Sequence, residues 1–165
     1  MTSLAKSAAE ALQPWADLYG DSSLVKALVV FLHLGALMVA GGFALAADRA
    51  TLGMGRLDAA QRLEVVQELG ETHRPVLAGL AIVVLSGLAM LAADLETLLP
   101  SVVFWAKMGG FVLLLLNGLT LQRAERRVRG GDSGRRAWRS LHGAALRSAV
   151  LWFAVLFMGT LLASS

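Results

Sequence analysis

Four apolar runs, each about as long as a bilayer core is thick, divide the chain; two of the intervals between them are rich in arginine and one is short and arginine-free. The runs fall at about residues 24–47, 75–93, 102–121 and 145–163, and each reaches the roughly 20 residues that a helix needs to cross a membrane. Small residues recur within them: Ala36, Ala40 and Gly41, then Gly79, Ser86 and Gly87, then Gly109, Gly110 and Gly118. Such positions let membrane helices approach closely. Short links between successive runs predict an all-α fold, an integral membrane up-down-up-down four-helix bundle in which the first and third spans are diagonal, as are the second and fourth.

The flanking segments complete a single four-span domain, 1–165. Residues 1–23 place Leu4, Ala8, Leu12, Trp15 and Tyr19 at near-helical spacing, which fits an outer interfacial helix with aromatic anchors and equally a frayed tail. The inner loop 48–74 spaces Leu57, Leu63, Val66 and Leu69 between charges, predicting a short amphipathic helix that leads toward the second span, with Pro75 at a helix start or a kink. The inner loop 122–144 breaks at Gly130, Gly131 and Gly134, so the third helix is expected to overshoot the membrane and the fourth to begin before re-entering it.

Composition agrees with a membrane chain: 56% of residues are hydrophobic and the mean hydropathy is +0.64, against about 45–50% apolar in soluble domains. Charge sets the orientation. All twelve arginines lie in two connections, Arg49 to Arg74 and Arg123 to Arg147, so these are expected on the cytoplasmic side, with the N- and C-termini both outside the cytoplasm and the protein multi-pass in the inner (cytoplasmic) membrane. This orientation rule accounts for a pI near 10 and removes nucleic acid as a partner. The first run starts far from Met1, and the segment before it is acidic and broken by Pro14, so the whole chain is expected to be mature. The absence of cysteine excludes disulfides, thiolate zinc sites and iron–sulfur clusters, leaving His, Met, carboxylate or Lys to hold any metal.

Polar residues inside the apolar runs carry the candidate chemistry. His33 lies roughly 13 Å into the first span, and Lys107 roughly 8 Å into the third, both entering from outside. Lys107 shares a helical face with Gly110, Leu114 and Asn117. An ammonium in hydrocarbon costs roughly 2.5 kcal/mol or more, which makes Lys107 the candidate catalytic cation, although a lysine this near the edge can also snorkel to the headgroups. His33 is the candidate metal ligand; its alternative role is a buried imidazole bonded to a carbonyl or hydroxyl across the bundle. His73 and His142 precede the second and fourth spans on one side of the membrane, on diagonal helices, as a haem iron between two facing helices requires, and as interfacial histidines beside Arg74 and Arg139 also do. Met38, Met90, Met108 and Met158 offer thioethers, but only Met108, next to Lys107, adjoins a polar site. No acid/base carboxylate pair lies inside the spans.

The segments VKALVVFLHLGALMVAGGFALAADRATLG, HRPVLAGLAIVVLSGLAML and FWAKMGGFVLLLLNG resemble the small membrane proteins of the HemJ-type protoporphyrinogen oxidase and CopD-type copper-protein group. That resemblance implies b-type haem, with a functional first-span histidine and third-span lysine at His33 and Lys107. Together with the positions weighed above, His33, His73, His142 and Met108 are the candidate cofactor-binding residues of a tetrapyrrole-binding protein with a redox or electron-transfer role. A non-catalytic membrane subunit, or a copper-handling protein, is the alternative, with copper or no cofactor. Membrane lipid is the expected environment, and the glycine-rich faces of the first and third spans suggest a homodimer or a larger membrane complex.

Overall fold

A computed structural model describes residues 3–130 and 135–164. Helix α1 (Ser3–Asp21) leads into α2 (Ser23–Gly53), a single 3-10 turn (Met54–Arg56) and α3 (Ala59–Ala93). The short α4 (Leu95–Leu98) then precedes α5 (Val102–Arg129) and α6 (Arg135–Ser164). Four of these helices are long and apolar enough to cross a membrane, so the chain is a multi-pass membrane protein by length and composition.

The long helices start where the sequence supplies caps. The Ser22 side chain accepts from the Val25 amide at the start of α2, and Ser101 accepts from the Phe104 amide at the start of α5. Asp58 and Gln61 form a reciprocal capping box at the start of α3.

The two arginine-rich connections are shorter than the sequence pattern predicts. α2 runs through Asp48 to Gly53, and α3 begins at Ala59, so most of 48–74 is helix and only residues 54–58 join the two. The expected short amphipathic helix and the second span are one helix of 35 residues, with Pro75 in its interior. The bond lost at Pro75 is the one to the Glu71 carbonyl, a loss that a long, packed helix tolerates. In the second connection α5 overshoots to Arg129 and α6 starts at Arg135, so most of 122–144 is helical as well. The breaks expected at Gly131 and Gly134 fall outside the described residues.

α2 packs against α3 and α6, while α5 packs against α6 and, more lightly, α3. Two glycines set the closest approaches. A Cβ on Gly79 would lie 2.8 Å from the Ala40 Cβ and 3.0 Å from the Ala36 carbonyl oxygen, so α3 meets α2 backbone to backbone. A Cβ on Gly110 would lie 3.0 Å from Met158 Cε, closing α5 on α6. Ala40, Leu114 and Trp152 form a small core at this level. Beyond the apolar spans, at the arginine-rich end, the helix extensions build a second core from Ala47, Met54, Val66, Leu69, Ala124, Val128, Ala137 and Leu141. Large apolar side chains such as Phe31, Leu85 and Phe153 point outward and are more than 60% exposed, as expected of a surface that lipid covers.

Residues 3–21 form an ordered helix rather than a tail. α1 lies on α3, where Trp15 Nε1 donates to the Ala89 carbonyl at 2.8 Å.

Candidate functional site

His33 is met by Ser86. Its Nδ1 lies 2.9 Å from Ser86 Oγ, and that hydroxyl lies 2.6 Å from the Ile82 carbonyl one turn back in α3. A serine has one proton to give, and the shorter contact, to an acceptor that cannot donate, takes it. Nδ1–H of His33 therefore donates to Ser86 Oγ, with the Val83 carbonyl as a further acceptor on the same side. The ring is fixed as the Nδ1–H tautomer, and Nε2 keeps its lone pair. Gly87 makes room for it: a Cβ there would sit 3.4 Å from His33 Cε1.

Lys107 belongs to the same end of the bundle. Its ammonium acts electrostatically on His33, and its Cε and Nζ lie against Gly159 of α6, 3.6 Å from where a Cβ would stand. Residue 107 is half-buried, and the face it shares with Gly110, Leu114 and Asn117 points inward, those three being buried. Asn117 is a structural anchor lower on that face: its Nδ2 donates to the Ala144 carbonyl at 2.8 Å and its Oδ1 accepts from Arg147 Nε at 3.1 Å.

The other candidates have separate partners. His73 Nε2 lies 2.7 Å from Glu125 Oε2, and Arg129 approaches the same oxygen at 3.8 Å. His142 turns Nδ1 toward the Trp138 carbonyl of its own helix at 3.2 Å, beside a cavity of about 350 Å³ lined by Met54, Gly55, Arg62, Trp138, Arg139 and His142. Ser86 and His73 are 86 − 73 = 13 residues apart on one helix, about 20 Å, so the level of His33 is far from that of His73. Met108 is half-buried beside Lys107, Met38 is 73% exposed on the lipid side, and Met158 packs toward Gly110. Among the described residues no three His, Asp or Glu side chains converge as a metal-binding group.

Two buried acids escaped the sequence reading. Asp48 is 2% exposed and Glu125 1%, and each acts electrostatically on the other. In sequence, Asp48 is the end of an apolar run and Glu125 one charge in a run of arginines, so neither carries a local signal of burial. Only the extension of all four helices past the apolar spans brings the two together.

No family model, curated protein or solved structure matches the chain.

Proposed function

We propose that this chain is an up-down-up-down bundle in the inner (cytoplasmic) membrane, with both termini outside, that binds haem b or a related tetrapyrrole for a redox or electron-transfer role, a protoporphyrinogen-oxidase-like reaction included. The supporting observation is the His33 tautomer. A metal-ligating histidine characteristically donates its other ring N–H to an oxygen, which orients the ring and raises its basicity; Ser86 and the Val83 carbonyl take this part for Nδ1 and leave Nε2 for iron.

The residues suit the group in kind. One imidazole holds the iron, and Lys107 is the cation for a propionate or an anionic substrate. Haem bound there would supply a one-electron iron centre. The chain's own part is to hold the imidazole upright through Ser86, keep the ammonium at the same level and exclude water with the surrounding apolar helices. Two cavities formed by described residues lie away from His33, one beside His142 and one along α5 and α6 at Asn117 and Arg147.

Detergent-purified protein from haem-sufficient cells is expected to show a Soret band that shifts on reduction, lost or altered in His33→Ala while the protein still inserts. Lys107→Met should lower haem affinity or activity with the fold intact. A colourless preparation that hemin cannot reconstitute overturns the reading; near-stoichiometric copper without iron would favour the copper-handling alternative, and no metal a structural subunit. Loss of the band in His142→Ala but not in His33→Ala would move the site to the arginine-rich cavity.

Assembly follows from the small residues that pack nothing. Gly35 and Gly42 of α2 and Gly109 and Gly118 of α5 face open space, which suits a second copy or a larger membrane complex.

A further inference from the structure

Each long helix contributes one polar side chain to a layer at the arginine-rich end: Asp48 from α2, His73 from α3, Glu125 from α5 and Ser148 from α6. Within it the two acids are not equivalent. Glu125 has His73 at 2.7 Å and Arg129 at 3.8 Å. Asp48 has the Ser148 side chain of α6 nearby, and its Oδ2, fully buried, has no hydrogen-bond partner. Among the described residues no Lys, Arg or His pairs with it. Among the described residues the titratable group that acts on it is Glu125, with His73 and Arg129 behind. Buried beside it along α2 are Ala47 and the hydroxyl-bearing Thr51, and the apolar core of Met54 and Leu141 adjoins this level.

An ionised carboxylate here would be a buried charge with one oxygen unmet, next to a second buried carboxylate. Burying an unpaired charge costs far more than burying a neutral acid, and two nearby carboxylates favour a proton on one of them. His73 and Arg129 both face Glu125 rather than Asp48. We propose that Asp48 is a proton-binding site: its buried Oδ2 carries a proton that exchanges with water at the arginine-rich end by way of Glu125 and His73. In uptake one proton from water adds to Oδ2 and converts the carboxylate to the acid; in release the same O–H bond breaks and the proton leaves by the same path. His73 suits the outer end of that path because its side chain is 24% exposed while Glu125 is 1%. The site stands whether or not a tetrapyrrole binds at His33.

Infrared spectroscopy of the full-length protein in lipid nanodiscs at mildly acidic pH tests this. A C=O stretch of a protonated carboxylic acid is expected, moving to lower frequency in D2O. It should shift in protein labelled with ¹³C-aspartate, vanish in Asp48→Asn and persist in Glu64→Gln, whose parent acid is exposed. The label gives the answer in the wild-type protein even if Asp48→Asn folds poorly. Exchange into D2O should slow in His73→Ala. A wild-type spectrum without the band, a band insensitive to the aspartate label, or one that appears only when sodium is removed would overturn the proposal, the last by making Asp48 a ligand of a metal cation.

Discussion

His73 and Glu125 touch at 2.7 Å, yet removing one should cost more than neutralising the other, because only one of them is sealed from water. In His73→Ala the Glu125 carboxylate keeps its burial and loses its one close partner. Arg129, at 3.8 Å, is beyond hydrogen-bond distance. Stripping one partner from a buried pair costs about 3–5 kcal/mol. Arg129 can swing inward and recover part of this, so about 2–3 kcal/mol is expected. Glu125→Gln instead removes the buried charge and keeps a carbonyl for His73. The stranded cation, Arg129, has a side chain 32% exposed and turns to solvent. What remains is the weakening of one charge-assisted bond to a neutral one, about 1 kcal/mol. Titration from mild detergent into SDS, followed by tryptophan fluorescence, measures both, since Trp138 packs against this core. If Glu125→Gln destabilises as much as His73→Ala, the assignment of Glu125 as the dehydrated member fails.

Three further outcomes are expected. Gly79→Ala places a methyl group 2.8 Å from the Ala40 Cβ and 3.0 Å from a backbone oxygen; α2 and α3 must part, at about 1–3 kcal/mol, and an unchanged SDS midpoint would show that the contact is looser than described. Asn117→Leu removes two interhelical bonds of about 0.6 kcal/mol each, so a loss near 1 kcal/mol is expected in the same titration, and a gain in stability would count against Asn117 as an anchor. Ser86→Ala takes the oxygen from His33 Nδ1 and, if Nε2 binds iron, should weaken haem affinity by about 10–100-fold with a shifted spectrum; hemin titration reads this directly.

The spans, and His33 and Lys107 as polar residues within them, were legible in the sequence because an isolated polar group in an apolar run is conspicuous. Ser86, the partner of His33, was visible only as a small residue suited to close packing, since a serine that bonds its own helix backbone looks the same as one that also bonds a neighbour. Of the two readings of Pro75, a helix start or a kink, the first is excluded. In water a proline marks a boundary, but within a 35-residue helix packed along its length one missing bond does not end it. Asp48 and Glu125 lay in segments read as loops, where charge is ordinary; their burial is a tertiary property of helices continuing where the hydropathy stops.

That continuation gives the protein two interiors in two different solvents. Helices of 31 and 35 residues are about 46 and 52 Å long against a hydrocarbon thickness of about 30 Å, so the Met54–Leu141 core is assembled by water and the Ala40–Trp152 core by shape fit against lipid. Cold and urea act on the first, because they weaken the expulsion of apolar surface from water, and leave the second largely untouched. Bilayer thickness and acyl composition act on the second. Asp48 stands at the seam, one residue beyond Ala47, where a change in either medium alters how closely its carboxyl is enclosed.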